Sequence, residues 1–354
     1  MLASYDKWVR RWLILGCVLV FFQVVIGGIT RISGSGLSIT KWEIVTGTLP
    51  PFNDKDWNVE FDLYKDTPQY KKINDGMSLS EFKFIYFWEF FHRLWARGMG
   101  FAFLFPFLFF LFRKCIDGRL VRLLGMVIIA AVLAASMGWI MVASGLIDRP
   151  WVNAYKLAIH LSVAFLTYGI LLWTTFVSFW PNETLASNIS VGFMKWVRVF
   201  FGILLVQLFF GGVMSGMRAG IVFPTWPDIM GSYIPLDIFT GENWNIETFN
   251  NYDKNTFVPA LIHFIHRGLA YILFGLGIFL FLKSKKENQR GLKYPMLVFI
   301  AFLFSQVILG ILTVINCIGS IPLLLGVLHQ AFALLLLSIV LYLLFITSKK
   351  RVLT

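Results

Sequence analysis

Charge is scarce in this sequence. Asp, Glu, Lys and Arg make up 14% of the residues, against about a quarter in soluble domains. Hydrophobic residues make up 58%. Together these values exclude an ordinary soluble domain and leave a polytopic membrane protein. Cysteine is scarce as well. Cys17 and Cys317 lie in apolar runs and Cys115 in a short basic loop. They are far apart in the chain and none lies in a long polar loop, so no disulfide framework is expected. Acidic residues number 19 against 31 basic ones, giving a net charge of +12. That excess does not point to nucleic acid. Membrane proteins keep Lys and Arg in cytoplasmic loops, and no basic patch interleaved with aromatics is present. No small-residue cleavage site follows the first apolar run, which therefore reads as a true span. No Arg-rich amphipathic transit segment precedes it, so a bacterial cytoplasmic (inner) membrane is expected.

What is present is a series of eight long apolar runs. They cover roughly residues 11–32, 84–112, 121–144, 153–180, 196–217, 257–282, 295–316 and 321–347. About 20 apolar residues cross the hydrocarbon, and spanning segments must satisfy their own backbone hydrogen bonds, so these are helices. The short loops on one side collect Lys7, Arg10, Arg11, Arg113, Lys114, Arg119, Arg122, Lys195, Lys283, Lys285, Lys286, Arg290, Lys293, Lys349, Lys350 and Arg351. The positive-inside rule makes that side cytoplasmic and places both termini there. The two long loops, roughly 33–83 and 218–256, then lie outside. Ser78 and Glu81 fit a capping box at the start of the second span.

The chain repeats itself. Residues 23–51 read QVVIGGITRISGSGLSITKWEIVTGTLPP, and residues 207–235 read QLFFGGVMSGMRAGIVFPTWPDIMGSYIP. Without gaps, Gln23, Gly27, Gly28, Gly36, Trp42, Gly47 and Pro51 align with Gln207, Gly211, Gly212, Gly220, Trp226, Gly231 and Pro235. The expected architecture is all-α, with two tandem, parallel four-helix bundles covering residues 1–182 and 183–354. The paired glycines have two readings, close helix packing or clearance for a large flat ligand.

Histidine is absent from the loops. All five histidines, His92, His160, His263, His266 and His329, fall inside spans. Ionisable groups in a membrane are costly and mark functional sites. His92, His160, His266 and His329 fall at a similar depth below the outer side, about 12–15 Å at a rise of about 1.5 Å per residue. Two histidines on facing helices form an axial pair for haem iron. His92 with His160 is one pair, and His266 with His329 is the other. Arg93 and Arg267 each follow a ligand candidate directly. Their permanent charge needs an anion, which haem propionates supply. Arg93 also has a helix-internal partner in Glu89. A zinc site is the poorer reading, because neither H-E-x-x-H nor a cysteine cluster is present. The halves differ at one position: Glu89 precedes His92 by one turn, where the second half has His263. A carboxylate beside a haem edge can move protons or stabilise charge. The first half therefore reads as a reaction site and the second as a cofactor site.

At these residues the sequence resembles the haem A synthase family. The resemblance runs through "GGITRISGSGLSITKWEIVTGTLPP", "WEFFHRLWARGMG", "GWIMVASGL", "AGIVFPTWPDIMG" and "FIHRGLAY" and covers almost the whole length. It implies oxidation of the C8 methyl of haem O to the formyl group of haem A, for terminal oxidases. It implies that His92 and His160 bracket substrate haem O, with Glu89 essential. It implies that His266 and His329 ligate a haem b cofactor. Some members carry a cysteine pair in the first outer loop, but residues 33–83 here contain no cysteine. His263 stands where many relatives are expected to carry glutamine. It is a hydrogen-bond partner within the site, a bystander or an alternative ligand. The competing readings are a dihaem b-type electron-transfer protein and a haem transporter or sensor. The lipid bilayer is an implied partner. A haem O synthase is an expected upstream partner, and homo-oligomerisation is left open.

Overall fold

The computed structural model describes residues 5–41, 49–146, 149–180, 189–287 and 289–348. Trp42 and Gly47 of the repeat, the boundary at 182/183 and the basic residues 349–351 lie outside the described residues. Among the described residues the chain forms helices α1 (Lys7–Ile32), α2 (Asp54–Lys65), α3 (Pro68–Ile73), α4 (Leu79–Phe112), α5 (Gly118–Gly145) and α6 (Ala154–Phe179). They are followed by α7 (Val191–Gly216), α8 (Ala219–Val222), α9 (Ile246–Asn250), α10 (Phe257–Ser284), α11 (Arg290–Ile315) and α12 (Leu323–Ser348). Two short 3-10 turns, Leu236–Phe239 and Gly241–Asn243, precede α9. Eight helices are long and apolar enough to cross a membrane: α1, α4, α5, α6, α7, α10, α11 and α12. The protein is therefore a multi-pass membrane protein. Phe101, Phe105, Phe109 and Ile129 point outward, as side chains facing hydrocarbon do.

Local sequence sets several helix starts. The first turn of a helix has N–H groups without helical partners. Asp6, Asp117 and Ser190 each accept one at α1, α5 and α7, and Asn153 accepts two at α6. At α4 the capping box forms as the sequence indicates: Ser78 takes the Glu81 N–H, and the Glu81 side chain reaches back to the Ser78 N–H.

The two halves pack by one scheme. In the first, α1 lies against α4 and α6, and α5 lies against α6. In the second, α7 lies against α10 and α12, and α11 lies against α12. The halves meet through α6 on α7, α1 on α12 and α6 on α12. Tyr168 and Ser338 hydroxyls bond across this seam at 2.8 Å, and Gln330 donates to the Val24 carbonyl at 2.7 Å. One relation differs between the halves. Helix α10 packs along α11, whereas α4 and α5 do not pack along each other.

The paired glycines divide their duties. A Cβ at Gly212 would lie 3.0 Å from the Ala158 backbone, and one at Gly28 would lie 3.1 Å from Gln330. These second glycines let the halves approach closely, as small residues do between membrane helices. The first glycines, Gly27 and Gly211, face histidines instead. The close-packing reading therefore holds for the second glycine of each pair, and the first glycine lies against a histidine ring.

The segment between α1 and α4 folds onto α4. Phe61 and Tyr64 of α2 stack on Phe82 of α4, with ring centroids 4.9 and 5.2 Å apart. Gln69 accepts from the Tyr64 hydroxyl and donates to the Gly34 carbonyl. The chain leaving α1 is thereby held against the outer turns of α4, next to Glu89.

Candidate functional site

Each of the four aligned histidines rests on a glycine of a neighbouring helix. A Cβ at Gly27 of α1 would lie 3.1 Å from His92 of α4, and one at Gly138 of α5 would lie 3.0 Å from His160 of α6. At Gly211 of α7 it would lie 3.1 Å from His266 of α10, and at Gly310 of α11 2.9 Å from His329 of α12. Real side chains rarely tolerate these distances, so glycine is what seats each ring. One turn earlier on three of the glycine helices stands a glutamine. Gln207 lies 3.4 Å from His266 Nε2, Gln306 lies 3.4 Å from His329 Nε2, and Gln23 donates to the His92 carbonyl. In the fourth case Ala134 occupies that place, and its carbonyl meets His160 Nδ1 at 2.8 Å. That carbonyl requires a proton on Nδ1, which leaves the Nε2 lone pair of His160 free for a metal.

His92 and His160 line one cavity of about 960 Å³. Its walls come mainly from α1, α4, α5 and α6, with the C-terminal end of α7, α8, the turn before α12 and Gln330 of α12 completing it. The cavity opens sideways where α4 and α5 diverge: Leu104, Val132 and Trp139 line it and are also 43%, 59% and 50% exposed. Glu89 lines it too and is 2% exposed. Ser38 Oγ donates to one carboxylate oxygen at 2.7 Å, and the Ile39 N–H donates to the same oxygen at 2.9 Å. Arg93 donates to the other oxygen. Three donors, one of them a fixed cation, hold the carboxylate beside the histidine pair.

The second half repeats this frame with other groups. His266 and His329 lie close enough for a charge on one to act on the other. The Nδ1 atoms of both, and the side-chain oxygens of Gln207 and Gln306, are buried without hydrogen-bond partners. Buried polar atoms are nearly always satisfied. Four orphaned atoms around one pair of rings fit a site built around a further group. A haem suits that donor set, because two imidazoles supply axial nitrogens to iron in a helical bundle. His263 takes the place of Glu89. It is 2% exposed, and its Nε2 lies 3.2 Å from Arg267 Nη2. A guanidinium only donates, so His263 is the acceptor there.

Arg93 meets the helix-internal partner that the sequence offers, and both arginines also reach loop carbonyls. Arg93 donates to Glu89 and to the Ile39 and Lys41 carbonyls. Arg267 donates to the carbonyls of Thr225, Pro227 and Asp228. Each arginine pins the segment that follows the first helix of its own half. The aligned register of the repeat thus carries over into a shared tether. Among the described residues no three His, Cys, Asp or Glu side chains gather as a bare-metal set. The three cysteines are free thiols.

Sequence reasoning missed Gln306, Gly138 and Gly310. The signal was present as a Q-x-x-x-G spacing at 23/27, 207/211 and 306/310. Glutamine and glycine one turn apart share a helix face, so the spacing marks a surface on which an imidazole can sit.

Eight spans that carry two histidine pairs, one in each half, define a multi-pass membrane protein with a repeated buried site. The chain belongs to the cytochrome oxidase assembly protein family (COX15-CtaA), which it matches over residues 10–341. It is 38% identical to the heme A synthase of Nitrosospira multiformis, across 96% of this chain and 93% of that one. It is 37% identical to the heme A synthases of Flavobacterium psychrophilum and Flavobacterium johnsoniae, in each case across 97% of this chain and 99% of the other.

Proposed function

We propose that this protein oxidises the C8 methyl of haem O to a formyl group, yielding haem A. The observation that carries the reading is the asymmetry around Glu89. One histidine pair faces a large cavity with a buried carboxylate at its wall; the matching place beside the other pair holds His263. The first half, residues 1–182, takes the substrate between His92 and His160. The second half, residues 183–354, holds a haem b cofactor between His266 and His329. That haem supplies a one-electron redox centre when bound.

The protein's own groups do the rest. Two successive two-electron oxidations carry the methyl carbon to the alcohol and then to the gem-diol, which loses water to leave the formyl group. The oxygen enters either by electron abstraction and water attack, with the electrons passed on to an external acceptor, or by direct oxygenation. Glu89 is the buried base beside the reacting edge, held in place by Ser38, the Ile39 amide and Arg93. Arg93 and Arg267 position the segments that cover each site. The Ala134 carbonyl sets the tautomer of His160. The gap between α4 and α5 suits a substrate with a long isoprenoid tail, since the tail can remain in lipid while the ring enters. The chain sits in the bacterial cytoplasmic membrane with both termini inside, next to an enzyme that supplies haem O.

Purified protein tests this reading directly. Extracted haems are expected to contain haem b together with haem O, its hydroxylated form or haem A. Two equivalents of haem b alone, from cells that make haem O, would favour an electron carrier.

A further inference from the structure

Among the described residues lining the first cavity, Arg31 and Arg218 stand outside the hydrogen bonds to Glu89. Arg31, in the last turn of α1, and Arg218, in the turn after α7, both line the cavity. The Arg31 Nη1 atom is buried and has no hydrogen-bond partner. A guanidinium keeps its charge and carries five donors, so a buried one needs an anion. Glu89 is the single acidic side chain among the described lining residues, and Arg93, Ser38 and the Ile39 amide already hold it. Among the described residues, the cavity wall thus carries a cation without a counter-ion.

Arg218 is also held in an unusual way. Its backbone is left-handed, with φ +54°, a conformation that residues other than glycine take rarely. Its guanidinium lies over the Trp151 ring, 5.0 Å from the centroid. Burial lowers its pKa from the ordinary value by penalising the charged form. Such strain is retained where a side chain must be aimed. In the ungapped register of the repeat, Arg31 aligns with Ser215 and Arg218 with Gly34. The pair therefore has no counterpart in the second half.

We propose that Arg31 and Arg218 form a carboxylate clamp for the two propionates of the porphyrin that enters the first cavity. This rests on the reading of that cavity as the haem O site. Arg31 lies one helical turn, about 6 Å, outward of Gly27, the residue that seats His92. The clamp so directs the propionate edge outward while the iron lies level with the histidines. The reacting C8 methyl shares a pyrrole ring with one propionate. Fixing the propionates therefore fixes which ring edge meets Glu89. Arg218 belongs to the second half, so substrate recognition in the first cavity requires both halves to be docked. Arg31 and Arg218 are positioning residues, and their effect is on which way the ring is held.

The test is a binding titration of purified protein that carries its resident haem. Ferric protoporphyrin IX and its dimethyl ester are titrated separately and followed by difference absorption. A His92→Ala control locates the signal in the first cavity. Wild-type protein is expected to bind the free acid at least about tenfold more tightly than the ester, since charge-assisted bonds are at stake. Arg31→Gln with Arg218→Gln is expected to bring the two affinities within about twofold while the resident haem spectrum is unchanged. Arg31→Lys with Arg218→Lys is expected to restore part of the preference. Equal binding of acid and ester by the wild type overturns the clamp without any variant. Undiminished preference in the double glutamine variant overturns it as well. Failure of the wild type to bind any second porphyrin overturns the reading of the cavity, and the clamp with it.

Discussion

Glu89→Gln is expected to leave porphyrin binding intact and to cut haem A formation by a factor of about 10²–10⁴, the range for loss of a positioned acid–base group. The amide keeps the shape of the carboxylate and one oxygen acceptor for the Ser38 and Ile39 donors. It loses the ability to take a proton. Arg93 is not stranded by the change, because it retains the Ile39 and Lys41 carbonyls. Ser38→Ala separates proton transfer from loop support. It removes one donor to Glu89 but keeps the base, and is expected to cost less than about tenfold, in keeping with about 1 kcal/mol for a typical hydrogen bond. The measurement is the ratio of haem A to haem O, by chromatography, in membranes with equal amounts of each variant. Normal haem A in Glu89→Gln would remove the carboxylate from the chemistry. Equal losses in Glu89→Gln and Ser38→Ala would reduce it to a loop anchor.

The second large effect separates the two histidine pairs. His266→Ala or His329→Ala is expected to abolish tightly bound haem b, because each removes one of two axial ligands. The nitrogens and glutamine oxygens left without partners around that pair fit a group held between the two rings. His92→Ala or His160→Ala is expected to spare haem b and abolish product. The rings of the first pair line the open cavity, from which a substrate must leave after each turnover. Pyridine haemochrome spectra of purified variants read the first effect, and product analysis reads the second. Loss of haem b in the first-half variants, with retention in the second-half ones, would exchange the roles of the halves.

Much of the fold was legible in the sequence. Membrane helices must close their own hydrogen bonds, so eight apolar runs become eight helices, and the Ser78–Glu81 box marks the start of α4 as its residue types require. The four histidines stood out because an ionisable group inside a span is rare. The seats of those histidines were not legible from propensity. They depend on which helix faces which, and Gly138 and Gly310 gain meaning only once α5 and α11 are placed against His160 and His329. Gly27 and Gly28 looked alike in the chain, yet neighbouring residues on a helix point in different directions, so one faces a histidine and the other faces the opposite half. The arginines show the same limit. Arg93 and Arg267 adjoin ligand candidates in sequence, but their donors reach loop carbonyls. Arg31 and Arg218 lie 187 positions apart in the numbering and still line one cavity. The opening between α4 and α5 was not encoded in any motif. It follows from a packing contact that the second half makes and the first does not.

The most direct test of the central claim is the haem content of cells that make haem O but no haem A, with and without this protein. Appearance of haem A, or of its hydroxylated precursor, only in cells carrying the protein is the predicted result. Unchanged haem O beside stoichiometric haem b, in folded protein with its electron partner present, would contradict it.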